Sequence, residues 1–230
     1  RYRPARSTAM STGMGTDNID IVLNELDALV NIDLPSRSVK KEHRSLNLFR
    51  LGTSGSLQPD LPLNAVVVSD YGLGFDGMLY YYEFTEGKEE QKIKKSLLNH
   101  LDWNANFPRP YLFGASDELR QLLEDERINS GITITAPGFY GPQGRKLRLP
   151  LADPGLNERL QSFQYNQVRV LNYEMETSAL YGLSSLLGHK AITVCLAIAN
   201  RKVRAVQQDH HKAMEALTRW LMDKIASHNR

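Results

Sequence analysis

The run Ala191 to Ala199 constrains the fold most. It reads Ala-Ile-Thr-Val-Cys-Leu-Ala-Ile-Ala, carries no charge and ends at Asn200-Arg201. Branched apolar side chains suit a pleated surface, so the run reads as a long buried strand. Ala65 to Val68 is a second, wholly apolar strand, the kind found in a sheet covered on both faces. Leu46 to Leu51 reads as a strand that runs into a turn at Gly52-Thr53-Ser54-Gly55. Gly131 to Ala136 and Val168 to Leu171 are further strands.

Helical patterns separate these runs. From Asn18 to Ile32, Ile19, Val22, Leu23, Leu26, Leu29 and Val30 share one face, with Asp17 as the expected N-cap and Leu34-Pro35 just past the end. Lys88 to Leu101 has helical spacing under a charge run read as a solvated face. Ser116 is the expected cap of a helix carrying Leu119, Leu122 and Leu123. Thr177 to Leu187 is a helix stopped by Gly188, and Asp209 to Ile225 is the last, with Ala213, Leu217, Trp220, Leu221 and Ile225 inward. Strand-helix alternation of this kind predicts a single α/β domain over residues 1–230, built on a central mixed β-sheet flanked by α-helices.

Composition bounds the function. The chain has 230 residues, 41% hydrophobic and 23% charged, enough for a sizeable core without disulfide or metal staples. Its net charge of +2 argues against a polyanion-binding tail, so no nucleic-acid partner is expected. A single cysteine, Cys195, allows no internal disulfide and no cysteine-rich zinc module, and it reads as inert core. No apolar run reaches the ~18 residues of a membrane span. Arg1-Tyr2-Arg3-Pro4 has neither an initiator Met nor a signal-peptide pattern, and the expectation is that the natural chain has residues before it.

Three segments could carry chemistry. In Arg50 to Gln58, glycines and hydroxyls follow an arginine able to bind an anion bidentately, with backbone N–H groups converging beside it; the other reading is a glycine turn with Arg50 in a structural salt bridge. Gln143-Gly144-Arg145 sits in an aromatic-flanked loop. Gln offers a donor and an acceptor and Arg donors only, a set that matches the edge of a uracil-like ring, with Phe139 able to wall it; the other reading is an exposed polar loop. In Asn172-Tyr173-Glu174-Met175-Glu176, two carboxylates meet a strand-helix junction, where they could hold a sugar diol or favour the helix dipole. His189, His210 and His211 show no metal-ligand spacing and read as surface histidines. There is no P-loop, no Gly-x-Ser-x-Gly elbow and no His-Glu-x-x-His.

Together and in this order, Ser11 to Gly15, Arg50 to Gln58, Phe139 to Arg145, Asn172 to Glu176 and the strand ending Ala199-Asn200-Arg201 resemble the nucleoside phosphorylase family that includes bacterial uridine phosphorylases. The resemblance covers nearly all of the chain. It implies a mixed sheet partly closed into a barrel, and an enzyme in which phosphate displaces a free base from a ribonucleoside. Arg50 and Thr53 would bind phosphate, with Thr53 also touching the sugar. Glu174, Met175 and Glu176 would form the ribose wall, with Glu176 on its hydroxyls. Gln143 and Arg145 would read the base, walled by Phe139 and Ile198. Arg50, Arg145 and Glu176 would carry catalysis.

The family also implies a base preference. Purine-acting relatives, phosphorylases and nucleosidases alike, usually carry a Ser-Asp pair just after the late apolar strand. Here that place reads Asn200-Arg201, which points to a pyrimidine. Uridine phosphorolysis in nucleoside salvage is the expectation. A purine phosphorylase or nucleosidase, and a non-catalytic nucleoside-binding relative, are the alternatives. Inorganic phosphate is a co-substrate, and no cofactor and no metal are expected. Met14 and Asn18 match positions that line a monovalent cation site in some relatives, but Asn replaces a smaller hydroxyl residue. A cytoplasmic homo-oligomer, a dimer or trimer of dimers, is expected, and the stripe Ile19, Val22, Leu26 and Leu29 would serve the core or that interface. Family members begin with a further segment holding a Gly-Asp-Pro phosphate loop, an Arg and a His. Nothing here matches it, so the chain is expected to lack an N-terminal portion and to begin near the strand preceding Ser11.

Overall fold

The computed structural model describes residues 7–203, 205–207 and 209–228. Of the strand expected before Ser11, residues 1–6 lie outside the described residues, and residues 7–13 carry no regular structure. The elements follow as α1 (Thr16–Asn31), β1 (Ile32–Asp33), β2 (Ser38–Val39), β3 (Asn47–Ser56) and β4 (Val66–Gly74). Then come α2 (Lys88–Leu101), β5 (Tyr111–Gly114), α3 (Asp117–Leu122), β6 (Ile128–Thr135) and α4 (Leu156–Ser162). The chain finishes with β7 (Gln164–Tyr165), β8 (Val168–Glu174), α5 (Thr177–Leu187), β9 (Lys190–Asn200), β10 (Ala205–Val206) and α6 (His211–His228).

The main sheet runs β10-β9-β3-β8-β6-β4-β5, and β4 pairs back onto β9. That pairing, Val66 with Leu196 through Val68 with Val194, closes β9, β3, β8, β6 and β4 into a ring. The ring is mixed. β3 lies parallel to β9 and antiparallel to β8, while β8, β6 and β4 run parallel. A closed sheet has no free edge in the ring, and β9 needs its uncharged run because it is paired on both sides and packed on both faces. One core cluster joins Val68, Ile192, Val194 and Leu196 to Leu217 and Leu221 of α6; another packs Ile132, Ile134, Val170 and Tyr173 against Ile93 and Leu97 of α2.

Helix α5 controls the site. Every residue from Thr177 to Ser184 is buried. Small side chains let it approach the sheet closely. A Cβ on Gly72 of β4 would stand 3.0 Å from the Ser178 backbone, and on the side of the 3-10 turn Met78–Tyr81 one on Gly182 would meet Leu79 at 2.3 Å. Gly188 ends the helix at φ +75°, a conformation that favours glycine. No described helix is long and apolar enough to cross a membrane.

Several sequence expectations need correction. The segment Gly52 to Gly55 is not a turn. It continues β3, with Gly52 paired to Cys195, Thr53 to Leu196 and Ser54 to Ala197, because the neighbouring β9 is long enough to hold it. The N-cap of α1 is Gly15, and Asp17 lies in the first turn. His189 is buried: its Nδ1 accepts the Leu46 N–H at 3.3 Å, and its Nε2 lies 3.3 Å from Asp27. Lys94, within the supposed solvated face of α2, is buried against Glu86.

Candidate active site

Two clusters lie along β3. The first gathers Arg50, Glu174 and Glu176. Arg50 folds over Gly52, where a Cβ would come within 2.9 Å of the guanidinium. That, rather than a turn, is the local reason for glycine here. Its Nη1 lies 3.1 Å from Glu174 Oε2 and donates to Cys195 Sγ at 3.5 Å, and its Nη2 donates to Glu176 Oε2. Burial works against the charge of Arg50, but Glu174 and Glu176 outweigh it, and with them the guanidinium's pKa is held above its ordinary value. Burial pushes the Cys195 thiol up to about 11, so it stays a neutral acceptor.

The two carboxylates differ. Glu176 is the N-cap residue of α5, and its Oε1 accepts the Gly15 N–H at 2.7 Å. Burial raises its pKa, opposed by Arg50. Glu174 is turned inward. Its Oε1 accepts from Thr135 Oγ1 at 2.6 Å, and its Oε2 accepts the N–H groups of Glu176 and Thr177, both at 2.9 Å. Met175, between them, is half-buried. Thr53 is half-buried too, and its hydroxyl bonds no described residue. Ser54 Oγ, next to it, is buried without a partner among the described residues.

The second cluster centres on Gln143, 3% exposed at the end of a single 3-10 turn, Gly141–Gln143. Its Oε1 accepts from Arg145 Nη1 at 2.6 Å and from Arg201 Nη2. Gly144 makes this possible. It takes φ +71°, and a Cβ would come within 2.2 Å of Asn157 Nδ2. Asn157 donates to the Gln143 carbonyl at 3.3 Å and accepts from Tyr173 Oη at 3.0 Å. The Arg145 guanidinium lies over the Phe139 ring at 3.7 Å, and Phe139 is 51% exposed.

Sequence reasoning assigned no role to Arg201. It donates to both the carbonyl and the side chain of Gln143, and it lies over Tyr173 at 4.7 Å in space that Gly55 leaves open. Burial, then the like charge of Arg145, pulls its pKa down to about 10. Its place immediately after β9 was the available signal. Ile198 is half-buried and packs against the apolar cluster under α6. Asn200 is fully engaged. Its Nδ2 donates to the carbonyls of Gln58 and Leu61, and its Oδ1 accepts from the N–H groups of Lys202 and Val203. Asn18 Nδ2 donates to the Met14 carbonyl. Among the described residues no group of three or more His, Cys, Asp or Glu could hold a metal ion.

An arginine held between two carboxylates in the middle of β3, and a glutamine held by two arginines beside Gly55 near the end of that strand, give chemistry suited to an anion and a planar polar ring. Residues 5–226 match the family model described as the Phosphorylase superfamily. The chain belongs to that superfamily. It is 27% identical over 207 residues to a uridine phosphorylase of Thermococcus kodakarensis, covering 87% of this chain and 60% of that protein. It is 26% identical over 193 residues to a DeoD-type purine nucleoside phosphorylase of Caldanaerobacter subterraneus subsp. tengcongensis, covering 84% of this chain and 64% of that one. The chain thus spans less than two thirds of the length of either relative. Among solved structures, a Trypanosoma brucei nucleoside phosphorylase described as showing uridine phosphorylase activity superposes with a TM-score of 0.81 at 28% identity, covering 94% of this chain and 77% of that one. This superfamily chain therefore has the nucleoside phosphorylase fold, partly barrel-like and mixed, that its sequence suggested.

Proposed function

We propose that the protein cleaves a pyrimidine nucleoside by phosphorolysis, turning uridine and phosphate into uracil and ribose 1-phosphate. The observation that carries the reading is the pair of guanidiniums on Gln143. Among the described residues, neither Arg145 nor Arg201 is paired with a carboxylate. Breaking the glycosidic bond sends its electron pair into the base, and fixed donors stabilise that charge most where water is excluded. A purine would call for an acid near its imidazole ring, and the pair at the end of the late strand holds none: Asn200 holds the loop and Arg201 holds Gln143.

The reaction then follows from the residues. Phosphate binds Arg50 and the Thr53 hydroxyl, drawing the guanidinium from Glu176. Glu176, so released, accepts from the ribose hydroxyls, with Met175 against the sugar. A phosphate oxygen attacks the anomeric carbon as the bond to the base breaks. The sugar passes through a cationic transition state flanked by phosphate and Glu176, and the departing base takes donors from Arg145 and Gln143. Orientation of the nucleophile supplies part of the rate. None of these steps calls on a cofactor or a metal.

Release of uracil from uridine, followed by ultraviolet absorbance, is expected only when phosphate is present. Equal release without phosphate would make the protein a nucleosidase. Faster turnover of inosine or adenosine would favour the purine reading suggested by the DeoD-type relative.

The protein is also proposed to be a cytoplasmic homo-oligomer. Ile21 and Leu29 on α1 are each 62% exposed and Tyr81 is 89% exposed, apolar surface that a partner subunit would cover. Mass measurement at micromolar concentration is expected to give a dimer or a trimer of dimers, and a monomer would refute the assembly.

A further inference from the structure

Thr135 ends β6, Glu174 ends β8, and the two are register partners in parallel strands. Both are buried, at 0% and 4% exposure. The Thr135 hydroxyl is used twice. It donates to Glu174 Oε1 at 2.6 Å and accepts the Ser178 N–H at 2.8 Å. Glu174 Oε2 in turn holds the N–H groups of Glu176 and Thr177 and lies 3.1 Å from Arg50 Nη1.

A carboxylate offers about four lone-pair directions, and this one meets a hydroxyl, two amides and a guanidinium inside the protein. Its rotation is therefore set from both oxygens, and on Oε1 the partner among the described residues is Thr135. Through Oε2 the same rotation fixes the backbone carrying Glu176 and the near side of the Arg50 guanidinium. We propose that Thr135 is a positioning residue, which through Glu174 sets the separation of Arg50 and Glu176 and hence the fit of phosphate between Arg50 and the sugar. The inference rests on the reading of Arg50 as the phosphate ligand and Glu176 as the ribose ligand.

Thr135→Val keeps the shape and deletes the hydroxyl, and Thr135→Ser keeps the hydroxyl. For Thr135→Val the phosphate KM is expected to rise at least about fivefold and kcat/KM to fall about 10- to 100-fold, since small misplacements of a reacting group are costly. Thr135→Ser is expected within about threefold of the parent protein, because it preserves both hydrogen bonds. A Thr135→Val protein with unchanged phosphate KM overturns the proposal, however far its melting temperature falls. If that variant does not fold, Thr135→Cys, whose thiol is a weak donor, is judged by the same comparison.

A second readout separates this inference from the proposed reaction. Inorganic phosphate should raise the melting temperature of a protein that binds it. If the parent protein cleaves no nucleoside but is stabilised by phosphate, a weaker half-saturation in Thr135→Val than in Thr135→Ser supports the positioning role while the reaction assignment fails. Equal half-saturation overturns the role. A parent protein that phosphate does not stabilise overturns both.

Discussion

Arg50→Ala is expected to abolish phosphorolysis and to loosen the protein at the same time. The guanidinium stands between two carboxylates whose side chains are 1% and 8% exposed, and is itself 15% exposed. Removing one partner of a buried pair leaves charge uncompensated at a cost of about 3 kcal/mol or more. In a chain of this size that lowers the melting temperature by about 6–12 °C. The catalytic loss is larger. Without Arg50, phosphate would face two carboxylates with no cation between, and kcat/KM is expected to fall at least about 10³-fold. Arg50→Lys keeps the charge but not the fork that meets Glu174, Glu176 and Cys195 together, so it should restore stability better than activity. An Arg50→Ala protein retaining a tenth of parental turnover would remove Arg50 from the phosphate site.

Arg145→Ala should separate the two effects. Arg145 is half-buried on a loop whose neighbour Phe139 is mostly exposed, and its contacts are Gln143, the Phe139 carbonyl and the Phe139 ring. Its removal leaves Gln143 Oε1 with Arg201 as a partner. The melting temperature should therefore change little, whereas the loss of a preorganised donor to the departing base is expected to cost about 10²–10³ in kcat. Thermal unfolding and uridine turnover of the same preparation check both halves. A fall in activity that follows a fall in melting temperature would mean that Arg145 only holds its loop.

Much of the fold was legible in the sequence for definite reasons. The spacing of Ile19, Val22, Leu23 and Leu26 marks α1, and the uncharged run from Ala191 marks β9, because periodicity is a local property of the chain. Helix α5 was bounded correctly because Gly188 stops it and the Glu176 junction starts it. The glycine segment of β3 misled, since glycine signals a turn only when no neighbouring strand claims it. Here β9 does, and glycine serves instead to admit the side chains of Arg50 and Arg201. His189 was likewise misread because its partners, Leu46 and Asp27, are remote in the chain.

The sequence by itself determined the family, the α/β alternation and the residue types at each strand end, since these depend on motif order and local pattern. Only the tertiary structure decided how those residues divide their work. Glu174 and Glu176 lie two positions apart in the chain and share Arg50, yet one is also engaged by Thr135 and the amides of Glu176 and Thr177 while the other takes the Gly15 N–H. Arg201 joins Gln143 across 58 residues of sequence. Hydrogen-bond partners drawn from closed strands depend on register and barrel closure, which no local pattern encodes.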